Sequence, residues 1–600
     1  MNSHTHKETF LKAVNQIHTF LKDKFSDCLK TLPTNQLKGY GRGHNFVRGW
    51  SIRFDDLGLY LKVLLPDQFP YVPPRIAIED ISDRAKDFSI EWPHVEDKGL
   101  LCLPPVTPSV EQSDSLTNTL MQKAVEFIAT FSSDPSKVLA DFQDEFISYW
   151  TRHKHKNGRA VWSLVEPESD TREVRYVFLG EQIMVADTNK DINAWYTNRY
   201  KPQKQIRGLS GLFVKLSQAP VAPFPNSVSE LLLVISALAP GALDLFNTSE
   251  VLKNGSYLFL LAAPSSSGVG LMGVVISSES NAKNPMRGFT RPEMMTEKIR
   301  LQRISESFGL TRHQITRVDH DWIHGRGQDV SQDILKKSSV AVIGCGSLGS
   351  HVAVRLAQAG VGKILLIDPE GLESANVGRH VLGIKHMGAN KAMALGVELR
   401  QRFPHIGVEY FNQQWEVFTK EHSQDLDELN LIVSTIGEWG AEGVLNEWHI
   451  SNGFKMPILY GWMEPQAAVG HALLIIKNGS CLGCIVNDKG RMFDPETKDW
   501  ADEHGLKFEP ACGAVFQPYG PVDVTFAEAL VSELAIATLV GDQQENVHRV
   551  HATSTNHLQK LGGDWTSSHL ASRPENFTDS FQYEKPLGHN ANCHFCDQQQ

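Results

Sequence analysis

Residues 339–360 read SVAVIGCGSLGSHVAVRLAQAG, and this stretch decides the fold of the C-terminal half. Val340–Ile343 is a short apolar run closed by glycine, the mark of a buried strand, and the residues after the glycines follow an amphipathic helical pattern. Between them Gly344, Gly346 and Gly349 form G-x-G-x-x-G. Glycine permits a tight turn and close backbone approach, and the helix start behind it offers N–H groups to a phosphate. KILLID is a second buried strand ending at Asp368, 24 positions after Gly344, where a carboxylate can bind ribose hydroxyls. DLDELNLIVSTIG and MPILYGW read as further strands, so the pattern from about residue 306 is α/β.

The glycine loop alone fits a nicotinamide dehydrogenase and an ATP-dependent adenylating enzyme equally well. The segment after Asp368 separates them. Asn376 and Arg379 stand just beyond that aspartate, and Lys391 opens a helix in MGANKAMAL. Hydride transfer has no obvious use for two cations near the phosphates, whereas attack of a carboxylate on an α-phosphate needs charge neutralised on the phosphoryl oxygens. Over residues 317–540 the pattern resembles the ThiF-type adenylation domain of ubiquitin-activating enzymes and their bacterial sulfur-carrier-activating relatives. The resemblance implies ATP and magnesium as ligands, a homodimer, and a role for Arg326 as an additional arginine on ATP. It also implies an aspartate for magnesium just after the strand within LIVSTIGEW, where this chain has Thr435, Ile436 and Gly437. Glu438 is the nearest carboxylate: either it takes the metal role, or it is a solvated loop acid and magnesium is held differently.

The eight cysteines divide by spacing. Cys481 with Cys484 and Cys593 with Cys596 are C-x-x-C pairs, each able to put two thiolates on one ion; together they make a closed, structural zinc site of four cysteines. The alternative is two independent redox or incidental pairs. Cys512 lies in EPACGAVFQPYG, a proline- and glycine-bearing loop, at the place where the resemblance expects an acyl-accepting cysteine. A buried thiol, or a fifth cysteine adjacent to the zinc, is the alternative. Cys345, inside the glycine loop, reads as a small buried residue, and Cys28 as incidental.

The first 155 residues are different in kind. A helical pattern (Phe10, Leu11, Val14, Ile17, Phe20, Leu21) precedes strand-like WSIRF, LYLKVLLP and RIAIED. FPYVPP, with three prolines, is predicted to be extended, because proline excludes both helix and central strand. A cysteine-bearing loop and two helices come next, the second over DFQDEFISYW, giving an α+β domain. The run from Tyr60 through EWPHVEDKGLLCLPP resembles the core of a ubiquitin-conjugating enzyme, with Cys102 in the place of its acyl-carrying thiol. Where such enzymes read His-Pro-Asn, this chain has Trp92-Pro93-His94, so either His94 substitutes for the oxyanion-stabilising asparagine or it is a structural turn residue.

At 600 residues the chain has room for three to six domains. Three are expected: a ubiquitin-conjugating-like α+β domain (1–155), a middle α/β connector (156–305) of β-like runs and turn-rich links, and a Rossmann-like ThiF-type adenylation domain with zinc knuckles (306–600). The whole is an α/β and α+β multidomain protein. The net charge of −11 argues against a nucleic-acid-coating surface. The apolar run from Leu231 is broken by Pro240 and Asp244, so no membrane span is expected, and the cysteine usage suggests the cytoplasm. One chain carrying both machines resembles the bacterial fused conjugation enzymes of anti-phage CBASS operons. That resemblance implies a partner protein as acyl donor, a CD-NTase-type nucleotidyltransferase, and an amine-bearing target protein as acceptor. A sulfur-carrier adenylyltransferase or a non-catalytic scaffold for a signalling enzyme are the alternatives; neither requires Cys102.

Overall fold

The computed structural model describes residues 3–40, 45–81, 91–152, 158–200, 205–279, 281–325, 330–498, 500, 507–508, 515–516, 519–574, 578–591 and 593–596. The chain divides into two compact units. The first comprises residues 1–160, 167–173 and 210–315; the second comprises 161–166, 174–209 and 316–600.

In the first unit, helix α1 (Ser3–Phe25) lays Ala13, Val14, Ile17 and Leu21 on an antiparallel sheet of β1 (Leu29–Thr31), β2 (Phe46–Phe54), β3 (Leu59–Pro66) and β4 (Arg75–Asp80), in that order. The three strands read from sequence are all present. FPYVPP departs from expectation: it is neither helix nor strand, yet it folds back as a turn, with the Tyr71 and Val72 N–H groups donating to Gln68 O and a cis bond before Pro70. Local hydrogen bonds between the prolines' neighbours, absent from the extended reading, account for the turn. Three helices come next rather than two: α2 (Ser113–Ser133), α3 (Pro135–Asp144) and α4 (Phe146–Arg152). The predicted Asp141–Trp150 helix is interrupted at Glu145, which caps the end of α3. Trp150, at the end of α4, is buried and donates its indole N–H to His313 O, tying the helix to the strand Phe308–Arg317. That strand pairs with Gly268–Ser278, which pairs with Ser256–Ser265, which runs parallel to Leu209–Lys215.

The second unit is built on an eight-stranded sheet. Its strands are β5 (Ser339–Ile343), β6 (Lys363–Ile367), β7 (Gly407–Phe411), β8 (Leu431–Ser434), β9 (Ile458–Met463), β10 (Val469–Ile475), β11 (Val547–Ala552) and β12 (Phe581–Lys585). Their spatial order is β7-β6-β5-β8-β9-β10-β11-β12, parallel from β7 to β9 and antiparallel beyond. DLDELNLIVSTIG yields a strand only from Leu431; the acidic start is a short helix, Ser423–Asp427.

Helices α5 (Ser347–Ala359), α6 (Lys391–Arg402), α7 (Trp439–Ser451) and α8 (Pro521–Val540) complete the frame. Both sheet faces are covered. Val340, Val342 and Leu366 pack with α5, α6 and α8, while Ala341, Ile343 and Leu365 pack with α7, which is why these strands read as unbroken apolar runs. Strand order reverses at β5 and β8, and ligands of such sheets bind at the carboxyl ends flanking that reversal.

Candidate functional site

The carboxyl end of β5 opens into the glycine loop, and each glycine has its own physical reason. Gly344 has φ +85, and a Cβ there would stand 2.9 Å from the backbone of Thr435 and Ile436. A Cβ on Gly349 would lie 1.9 Å from Gly344 O, so the helix cannot otherwise pack onto the turn. Gly346 caps α5, with nothing within 4 Å of its missing Cβ: open space at a helix N-terminus, suited to phosphate. Asp368 grips the loop from β6, its carboxylate accepting from Cys345 N–H (2.6 Å) and Glu370 N–H (2.7 Å). Burial raises its pKa despite these donors and the charge of Lys391. The ribose role expected of Asp368 therefore falls to a group already engaged in holding the loop. Cys345 is buried, as expected.

Two residues that sequence reasoning missed complete the brace. His380 accepts from Leu382 N–H at Nδ1 (3.0 Å), which puts the ring proton on Nε2, and this donates to Cys345 O (2.7 Å). Burial lowers the His380 pKa to about 4. Asn390 caps α6 by accepting from Met393 N–H, and its amide donates to Asp368 O, Glu370 O and Asn412 Oδ1. Lys391 begins α6 with its side chain buried and Nζ 2.5 Å from the exposed carboxylate of Glu370. Asn376 bonds Glu373 N–H in a short turn. Arg379 places its guanidinium 4.6 Å from the ring centroid of Tyr519, whose hydroxyl meets Ser347 Oγ at 2.7 Å. Tyr519, unremarked in the sequence, thus joins the cation to the start of α5. Arg326 lies outside the described residues.

Above the loop is a cavity of about 480 Å³, within the range of small-molecule sites. Its wall includes Gly346, Ser347, Thr435, Gly437, Glu442 and Tyr519, with Trp439 and Trp462 supplying aromatic faces. Glu438 takes neither sequence-derived role cleanly. It is the N-cap of α7, its two oxygens accepting from Gly440 and Ala441 N–H at 2.9 Å. The carboxylate in the cavity wall is Glu442, 8% exposed, with burial raising its pKa to about 7.

In the first unit, Cys102 is exposed beside a cavity of about 200 Å³ lined by Pro73, Pro74, Leu103, Pro104 and Leu120. Its N–H donates to His94 O (2.8 Å), next to the Val95–Leu101 bridge. His94 has φ +58, and its N–H donates to Tyr149 OH. The ring nitrogens face carboxylates: Nδ1 is 3.1 Å from Glu145 and Nε2 is 3.3 Å from Asp141. Of the two expectations for His94, the geometry favours the structural one, because both nitrogens are occupied by acids. Cys512 lies outside the described residues.

Residues 321–575 match the model of the ThiF family, and residues 21–158 match that of the prokaryotic E2 family B. The chain joins an E2 domain to a ThiF domain. It is 26% identical over 381 residues to the ATP-dependent ubiquitin transferase-like protein Cap2 of Pseudomonas aeruginosa, covering 59% of this chain and 63% of that protein. The match to Cap2 of Enterobacter hormaechei is 31% identical over 120 residues, 20% of each chain. A crystal structure of E. coli MccB with succinimide aligns at TM-score 0.31 and 21% identity over 44% of this chain and 69% of that one.

Beyond the matched ThiF residues, the chain returns to complete a cysteine cluster. The thiols of Cys481, Cys484, Cys593 and Cys596 lie within 4.8 Å of one another. Zn–S bonds of ~2.3 Å in a tetrahedron put sulfurs ~3.8 Å apart. Observed separations are 3.2 Å (Cys481–Cys596), 3.6 Å (Cys481–Cys593), 3.7 Å (Cys484–Cys596) and 4.0 Å (Cys481–Cys484). The four thiols fit a zinc ion. Asn446 on α7 supports the set: its amide donates to Cys481 Sγ (3.6 Å) while its oxygen accepts from Leu482 N–H. No helix among the described residues is long and apolar enough to cross a membrane.

Proposed function

We propose that the chain is an ATP-dependent protein-conjugating enzyme of three domains, bounded near residues 155 and 305. The carrying observation is that a nucleotide-type glycine loop, with Arg379 and Lys391 beside it, shares a polypeptide with an E2 domain exposing Cys102. The C-terminal carboxylate of a partner protein attacks the α-phosphate of ATP, and pyrophosphate leaves. Arg379 and Lys391 neutralise charge developing on the phosphoryl oxygens, with Arg326 contributing across a homodimer. Lys391 is released by Glu370 as the phosphates arrive. The Cys512 thiolate then attacks the acyl carbon of the adenylate, expelling AMP. Cys102 takes the acyl group by thioester exchange, freeing the Cys512 thiolate. A target amine attacks the Cys102 thioester, loses a proton, and leaves an amide and the thiolate. Magnesium would assist the nucleotide step by neutralising phosphate charge, and zinc would hold the C-terminal segment closed. The relatives named ATP-dependent ubiquitin transferase-like proteins support the ATP-dependent transfer. The donor of the CD-NTase class and the place in anti-phage defence are part of the proposal and follow from the resemblance to the fused conjugation enzymes.

The test is trapping. With ATP and the donor under non-reducing conditions, Cys102→Ser should accumulate a thiol-sensitive adduct at Cys512, and Cys512→Ala should retain pyrophosphate exchange. Absence of any such adduct in the wild-type protein with a CD-NTase donor would overturn the conjugation reading.

A further inference from the structure

Glu442 is out of place by ordinary rules: a carboxylate in the first half of α7, 8% exposed, with no basic partner among the described residues. Its two oxygens differ. Oε1 accepts from Ser434 Oγ–H (3.1 Å) and from Gly437 N–H (3.4 Å), both at the carboxyl end of β8. Oε2 carries no hydrogen bond among the described residues, and the side chain forms part of the cavity wall above the glycine loop. The carboxylate is thus pinned by one oxygen, while the side chain that carries the other lines the cavity. Burying an acid with half its hydrogen-bonding capacity unmet is unfavourable, and a cation is the partner that restores the balance.

We infer that Glu442, rather than Glu438, is the protein's ligand for the divalent cation that accompanies the nucleotide. The inference rests on reading the cavity as the nucleotide site. Glu438 is excluded by geometry, since both its oxygens cap α7, whereas Glu442 lies one helical turn further on and faces the cavity. Magnesium suits such a ligand. It binds oxygen, keeps several waters, and is usually held by one or two carboxylates together with substrate phosphates. Without the cation, the same carboxylate would repel the phosphates it faces.

Trp439 and Trp462 in the same wall supply an optical readout. The full-length protein is titrated with the non-hydrolysable analogue AMPCPP, following tryptophan fluorescence, first with magnesium and then in EDTA. Wild type should bind more tightly with magnesium. Glu442→Gln, which preserves shape and can still accept from Ser434, should lose on the order of tenfold in magnesium and lose nothing in EDTA. Glu442→Asp, which keeps the charge, should retain part of the magnesium preference and guards against a folding artefact. With manganese as the probe, the bound fraction seen by electron paramagnetic resonance should fall in Glu442→Gln. Equal losses in magnesium and EDTA, or no loss in either, would overturn the inference while leaving the nucleotide site standing. Wild-type protein that binds AMPCPP in neither condition would remove the nucleotide reading, and this inference with it.

Discussion

Two alanine substitutions three residues apart in the glycine loop should fail in different ways. At Gly349 the added carbon would meet Gly344 O at 1.9 Å and Thr435 Oγ1 at 2.3 Å. Acceptable contacts begin near 3.0 Å, so the start of α5 must retreat by about an ångström from a turn braced by Asp368, His380 and Thr435. Overpacking of this kind costs ~1–3 kcal/mol, and misplacing a binding loop by ~1 Å costs on the order of 100-fold in rate. Gly346 has φ −77 and ψ −154, a conformation open to alanine, with nothing within 4 Å of the new methyl. Its stability should stay within about 0.5 kcal/mol of wild type. The methyl would nonetheless occupy the space assigned to phosphate. Urea unfolding and ATP–pyrophosphate exchange on both variants separate these effects. Gly349→Ala should lose stability and exchange together; Gly346→Ala should lose exchange alone. A Gly346→Ala protein that exchanges at the wild-type rate would refute the placement of phosphate over that residue, and a Gly349→Ala protein of unchanged stability would refute the close-packing argument.

Removing zinc should act at a distance, because Asn446 and Glu442 stand one turn apart on α7. Cys593→Ser should bind less zinc by atomic absorption, melt at lower temperature and weaken magnesium-dependent nucleotide binding; unchanged melting would dismiss the structural role. Glu496 offers a pH test. Burial alone would raise its pKa, but hydrogen bonds from His569, Lys585 and Tyr583 reverse this and hold it at about 2, against 4.5 ordinarily. The depressed value contributes about 3 kcal/mol of stability above pH 4.5, lost as pH falls towards 2. Glu496→Gln should therefore flatten the stability–pH curve in that window, and identical wild-type and variant slopes would contradict the assignment. At His94, φ +58 favours residues that tolerate the left-handed region. His94→Asn should keep the Cys102 loop folded, whereas β-branched His94→Val should cost ~1–3 kcal/mol in thermal unfolding; equal stabilities would show that strain is relieved elsewhere.

Much of this architecture is legible in the chain alone, for local reasons. Strands β2, β3, β4, β5 and β6 announce themselves by apolar runs between turn residues, and the glycines by spacing. The cysteine pairs are recognisable because a two-residue spacer is itself the geometry of chelation. The misreadings also have local causes. FPYVPP excluded helix and strand but did not reveal its turn hydrogen bonds, and DFQDEFISYW concealed a break because no proline or glycine marks Glu145.

By itself, then, the sequence determined the strand–loop–helix unit and the two C-x-x-C pairs, each of which depends on residues near one another in the chain. Only the tertiary structure decided which side chains meet across it. Tyr519 reaches Arg379 from 140 residues away, His380 locks Cys345 through a backbone carbonyl, and Asn446 stands behind Cys481. The exchange between Glu438 and Glu442 shows the reason most plainly. Both acids lie near the carboxyl end of β8, but one turn of helix separates an oxygen pair spent on capping N–H groups from a carboxylate facing the cavity. Spacing alone cannot rank them, because helix phase matters only once the helix has been docked against its sheet.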